Sequence, residues 1–180
     1  MVIALAGRRV DAPGAAQSRF PAKNVGLVRD RIANLLKLQQ AKTLVCSAAC
    51  GADLIALAAA GDLGIRRIVV LPYSRDVFLR TSVIDRPGDW GESYDRVMDE
   101  VEGKNDVVVL GYAENDDAAY SATNLAILEQ AEKVARKENL PIAAVVVWDG
   151  KSRGEGDFTE QFKEEAKRRG INPTEIPTLN

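Results

Sequence analysis

The sequence predicts an α/β protein, a doubly wound, mostly parallel Rossmann-like sheet with helices on both faces. Two observations predict it. Short apolar, β-branched runs recur along the 180 residues and alternate with stretches of helical periodicity. The apolar runs also lack the inside/outside alternation of a half-exposed strand, as befits strands covered on both faces.

The first run, Val2-Ile3-Ala4-Leu5-Ala6, stops at Gly7-Arg8-Arg9 and reads as a buried first strand. Asp11 to Pro21 is rich in Pro, Gly and small polar residues and reads as a loop facing a ligand. Val28, Ile32, Leu35 and Leu36 mark an amphipathic helix over 25–38. Thr43 to Cys46 is the second strand. The small residues from Ser47 to Asp53 then lead into a helix over 54–60. Their small size serves either a phosphate or ribose contact or tight packing of helix on sheet, and Asp53 suits either a helix cap or a sugar hydroxyl. Arg67 to Leu71 is the third strand, stopped by Pro72.

Tyr73 to Gly91 shows little periodicity and reads as an irregular lid or binding insert, with Trp90 available to stack on a base or to close the core. A helix follows, with Tyr94, Val97, Met98 and Val101 on one face. Asp106 to Leu110 is the fourth strand, Gly111 to Ala118 an acidic turn, and 120–136 a long helix with Leu125, Leu128, Ala131 and Val134 inward. Asn115, Tyr120 and Asn124 lie near its start, where ligand contact and capping are both open. Ile142 to Trp148 is the fifth strand. The loop Asp149 to Gly156 carries Gly150, Gly154 and Gly156, and a helix opens at Asp157 with Phe158, Phe162 and Ala166 spaced for one face. Pro173 to Pro177 is a short last segment. Residues 1–180 read as one domain, without repeats or low-complexity tracts.

Composition excludes several functions. The 24 basic and 26 acidic residues are interspersed, so no basic field collects nucleic acid or an anionic membrane. A local pocket for a small phosphorylated ligand needs only one or two arginines, and Arg8, Arg9, Arg80 and Arg153 are candidates. The chain has no histidine, which excludes Ser–His and Cys–His nucleophiles. Cys46 and Cys50 without histidine make a poor zinc site, so no metal and no cofactor is expected. With no apolar run of bilayer length and no signal peptide read at the start, the expected location is cytoplasmic, with no membrane partner.

In such sheets ligands bind at the carboxyl ends of the strands where the winding reverses. Gly7 to Arg9, Ser47 to Asp53, Pro72 to Arg80 and Gly150 to Thr159 are expected to converge there. A glycine loop running into a helix start offers backbone N–H groups and the positive end of the helix dipole to an anion.

Ala6-Gly7-Arg8-Arg9, Cys46-Ser47-Ala48-Ala49-Cys50-Gly51-Ala52-Asp53-Leu54, Val69-Val70-Leu71-Pro72, and Val147-Trp148-Asp149-Gly150 followed by Gly154-Glu155-Gly156 resemble, in order and spacing, the SLOG superfamily. This Rossmann-like group contains the lonely-guy phosphoribohydrolases and DNA-processing protein A. The family's first motif reads Gly-His-Arg where this chain has Gly7-Arg8-Arg9. The resemblance implies a nucleotide or nucleotide-derived ligand held by Gly7, Arg8, Arg9, Ser47, Gly51, Asp53, Gly150, Arg153, Gly154, Gly156 and Thr159. In that reading the glycine backbones and the helix start hold phosphate, Arg153 and Arg8 add charge, and Asp53 takes a ribose hydroxyl. The resemblance also implies a homodimer and, for a sensor or regulatory domain, an effector partner or fused domain.

Lonely-guy enzymes carry Pro-Gly-Gly-x-Gly-Thr-x-x-Glu, whose glutamate is catalytic. Aligning Gly154-Glu155-Gly156 puts Asp157 at the threonine and Glu160 at the glutamate, which implies an alternative phosphoribohydrolase or N-glycosidase with Glu160 as its carboxylate. The residues themselves leave a second reading open, with Asp157 as N-cap and Glu160 closing a capping box.

Overall fold

The computed structural model describes residues 1–114, 116 and 118–180. Asn115, a candidate contact or cap at the start of the long helix, lies outside the described residues.

Six strands form one parallel sheet: β1 (Val2–Gly7), β2 (Thr43–Cys46), β3 (Arg66–Leu71), β4 (Val107–Val109), β5 (Ile142–Trp148) and β6 (Thr174–Pro177). Their spatial order is β4-β3-β2-β1-β5-β6. The chain winds outward from β1 to β4 and then returns to the other side of β1, so the winding reverses between β1 and β5. In the register of that pair Gly7 faces Val147, and the next amide, Arg8 N–H, donates to Val147 O at 2.8 Å.

Alternate strand residues feed two cores. Ile3, Leu5, Leu44, Cys46, Val69, Leu71, Val145 and Val147 pack with α1 (Val25–Leu38), α2 (Ala52–Asp62), α3 (Arg75–Ser82) and α4 (Trp90–Glu102). Val2, Ala4, Ala6, Val45, Ile68, Val70, Ala144, Val146 and Trp148 pack with α5 (Ala119–Glu138) and α6 (Phe158–Arg168). This period-two division, with both sets buried, is what made the strands read as continuous apolar runs.

The structure corrects three sequence expectations. The insert over 73–91 contains a regular helix, α3, whose buried Phe78 and Ser82 lie four residues apart and cover the end of the first core. The last segment is a strand: Val145 to Trp148 of β5 pair in register with Thr174 to Pro177. Leu125 of α5 is 40% exposed, and Ile127 takes the inward position. Trp90 opens α4 and donates its indole N–H to Pro87 O at 3.0 Å, closing a turn. Among the described residues no helix is long and apolar enough to cross a membrane.

Two glycines set how closely these elements approach. A Cβ on Gly7 would lie 2.7 Å from Val147 O and against the Ala52 methyl, so β1, β5 and the start of α2 meet there only because residue 7 lacks a side chain. Gly51 adopts φ +98°, and a Cβ there would meet Arg8 O at 2.8 Å. Ala52 N–H donates to that same carbonyl. The tight-packing reading of the 47–53 turn therefore accounts for Gly51.

Candidate functional site

At the carboxyl ends of β1, β2 and β5 the strand-to-helix turns enclose a cavity of about 670 Å³, within the usual range for a small-molecule site. It sits at the reversal of winding, where open parallel sheets bind ligands. Of the candidate residues, Gly7, Arg8, Arg9, Ser47, Asp53, Arg153, Gly156 and Thr159 line it. Gly51, Gly150, Gly154 and Glu160 do not. The Pro72–Arg80 segment contributes only Phe78, while Arg80 is exposed and faces Glu114 at 3.5 Å.

Consecutive residues after β1 send their guanidinium groups to different partners. Arg8 is 2% exposed and makes four hydrogen bonds within the protein. Its Nη1 and Nη2 donate to Asp157 at 2.6 and 2.8 Å, its Nε to Asp149 at 3.1 Å, and Nη2 also to Lys151 O at 2.7 Å. Arg19, from the loop after β1, donates to Asp149 at 2.8 Å and to Lys151 O. Arg9 instead pairs with Asp85 and donates its Nε–H to Cys50 Sγ at 3.5 Å.

Asp157 is the N-cap of α6. Its carboxylate accepts from Thr159 N–H at 3.1 Å, Glu160 N–H at 3.2 Å and Arg153 N–H at 2.8 Å, besides both Arg8 bonds. Burial opposes its ionisation, but the Arg8 guanidinium and these backbone donors together hold its carboxyl below the ordinary range. The helix start expected to hold phosphate is thus filled by the protein's own carboxylate. The second half of a capping box is absent: Asp157 N–H donates to Gly154 O, and the Glu160 carboxylate accepts instead from Ser152 Oγ.

At this end of the cavity Arg8 pairs with Asp149 and Asp157, and Arg19 with Asp149. Arg153 lies beside them. Among the described residues its guanidinium has no carboxylate within ion-pair distance, and burial, then neighbouring Arg8, hold it below the ordinary arginine range. A cation in that setting gains from an anion brought beside it.

At the other end, beyond β2, Asp53 is 7% exposed. One oxygen accepts from Ala49 N–H at 3.3 Å, while Gly51 occupies the N-cap position of α2. Burial, only partly offset by the Ala49 N–H and by Arg9, pushes the Asp53 carboxyl up to about 7.

The remaining wall comes from residues whose role the sequence reading left open or missed. The rings of Tyr120 and Phe158 lie 5.3 Å apart, and Tyr120 Oη meets Ser82 Oγ at 3.1 Å. Thr123 and Ile127 extend this wall along α5. Asn124 lines it too and donates its amide to Phe158 O at 2.7 Å, holding the starts of α5 and α6 together. Phe158, assigned by spacing to the inward face of α6, is 38% exposed. As the first residue of the helix it sits beyond the sheet edge, where a ring borders the cavity rather than the core. Asp11, also at the cavity, organises the 11–20 loop by accepting from Arg19 and Phe20 N–H groups and from Ser18 Oγ.

Among the described residues no cluster of three or more metal-ligating side chains occurs. Cys46 and Cys50 are both free and buried.

Comparison with known proteins adds little to this geometry. No protein-family model matches the chain, and no curated protein matches it. Among solved structures it is similar to DNA-processing protein A of Streptococcus pneumoniae, with a TM-score of 0.45 and 15% sequence identity over 96% of this chain. The match spans 57% of that protein's chain. From its own strand order, this chain is a six-stranded, parallel α/β protein of Rossmann-like fold.

Proposed function

We propose that the cavity binds a nucleotide or nucleotide-derived signal as a SLOG-like sensor or regulatory domain. The observation that carries this reading is the meeting of Arg153 and an aromatic wall on one cavity at the reversal of winding. Arg153 takes the phosphate, in place of the α6 amides that Asp157 already occupies. Tyr120 and Phe158 offer ring faces to the base. The ordered sequence motifs shared with the SLOG superfamily support the same ligand class, and with it a homodimer and an effector partner or fused domain.

The rival reading, a phosphoribohydrolase or N-glycosidase acting through Glu160, requires that carboxylate beside a bound ribose. Glu160 is bonded to Ser152 and does not line the cavity. To separate the two, the protein is incubated with nucleoside 5′-monophosphates and with NAD-type dinucleotides. Binding is followed by calorimetry and free base by chromatography. Saturable binding without base release agrees with the sensor reading; base release that disappears in Glu160→Ala contradicts it.

A further inference from the structure

The chain between Val10 and Phe20 is a loop with a fixed neck and an untied tip. Val10 and Phe20 are 2% and 0% exposed and belong to the first core. Asp11 closes the neck: its N–H donates to Phe20 O at 2.9 Å, and its carboxylate accepts from Phe20 N–H at 2.9 Å and from Arg19 N–H and Ser18 Oγ. Thr178 Oγ donates to Arg19 O, and the Arg19 guanidinium to Asp149 and Lys151 O. These bonds fasten the neck to the chain after β6 and to the loop before α6.

Beyond the neck the anchoring stops. Residues 13–18 are exposed, and among the described residues every hydrogen bond made by 12–18 stays within the loop. Gly14 turns the apex at φ +71°, where a Cβ would meet nothing within 4 Å. Ala12, Ala15 and Gln17 nevertheless line the cavity. The tip, Ala12-Pro13-Gly14-Ala15-Ala16-Gln17-Ser18, carries no charge in a chain that is 28% charged.

We infer that residues 12–18 form a lid, hinged at the Asp11–Phe20 neck, that folds over the phosphate end of a bound nucleotide and shields it from water. The inference rests on the nucleotide reading of the cavity and adds the moving part that retains the ligand.

Position and chemistry both suit the task. Arg19, in the neck, is close enough to Arg153 to act on its charge. Arg153 is partly open to water, and a contact between arginine and phosphate is weakened by water and salt. An uncharged tip folded over that contact excludes water without placing a rival charge beside it. The neck allows the tip to swing as a unit while Val10 and Phe20 stay packed, which is the form of many compact surface loops that close on ligands. Glycine at the apex supplies the positive φ of the turn.

Two measurements test the lid. In the first, backbone hydrogen exchange of wild type is followed by mass spectrometry alone and with saturating AMP, GMP, CMP or UMP, binding being checked by calorimetry. Rapid exchange over 14–18 in the free protein and slowed exchange with nucleotide are expected. In the second, a variant lacking residues 13–16 joins Ala12 to Gln17 and keeps Asp11, Arg19 and Phe20. Its melting temperature without ligand should match wild type, while its nucleotide affinity should fall by about tenfold, the contribution of roughly two buried methyl groups. Nucleotide binding that leaves exchange over 14–18 unchanged, or a folded deletion variant that binds as wild type does, overturns the lid and leaves the nucleotide reading standing. The exchange measurement decides the question by itself if the deletion variant does not fold. Failure of every nucleotide to bind wild type overturns both.

Discussion

Arg8 and Asp157, 149 residues apart in sequence, form a buried bidentate pair with N···O distances of 2.6 and 2.8 Å. The pair joins the end of β1 to the start of α6 across the reversal of winding, and Asp149 and Lys151 O accept two further bonds from the guanidinium. Removing one partner leaves the other charge buried. Arg8→Ala is expected to lower stability by about 3–5 kcal/mol in a denaturant titration. Arg8→Lys should recover little of it, because an ammonium cannot reproduce the planar fork.

The same pair sets the acid side of the stability profile. The folded Asp157 carboxyl lies below its unfolded value, so its contribution is complete above the unfolded range near pH 4 and is lost as pH falls through the folded value. Asp157→Asn should flatten the fall in melting temperature below about pH 4 relative to wild type. An unchanged acid limb would assign that loss to other carboxylates.

Asp53 acts in the opposite sense and in a separate window. Its folded carboxyl is raised to about 7, so between its unfolded value near 4 and that point the native state holds the extra proton. Stability therefore falls as pH rises through this interval and levels off above it. Asp53→Asn is expected to be more stable than wild type by a few kcal/mol at pH 8 and to differ little at pH 4, as read by thermal unfolding at both pH values.

Gly7→Ala tests the close approach of β1, β5 and α2. The added methyl meets the Val147 carbonyl at 2.7 Å, and backbone cannot move aside as a flexible side chain can. A loss of about 1–3 kcal/mol or more is expected. Nucleotide affinity should fall with it, since the cavity walls diverge from this point.

How far the sequence revealed this arrangement depended on the length scale of each signal. Five strands showed as continuous apolar runs, and α1, α4, α5 and α6 as helical periodicity, while α2 showed as a run of small apolar residues. Helix α3 did not, because eight residues with buried Phe78 and Ser82 give a single i, i+4 repeat among charges. Strand β6 was hidden by Pro173 and Pro177 around a single buried Ile176, an arrangement tolerated at a sheet edge. In the site, Arg8 and Arg153 look equivalent in the sequence. Only the fold brings two aspartates into ion-pair distance of the Arg8 guanidinium and, among the described residues, none into that distance of the Arg153 guanidinium. The glycine loop before α6 was legible, but which group fills the helix start was not, since Asp157 reads equally as cap or intruder until Arg8 is placed on it.

On the proposed function Arg153, and not the α6 amide cradle, receives the phosphate of a nucleotide in this cavity. Calorimetric titration of wild type, Arg153→Ala and Glu160→Gln with the nucleoside 5′-monophosphates tests it directly. Saturable binding by wild type is expected, with an affinity lower by about tenfold or more in Arg153→Ala and unchanged in Glu160→Gln. Absence of binding to every nucleotide, or an Arg153→Ala protein that binds as wild type does, would contradict it.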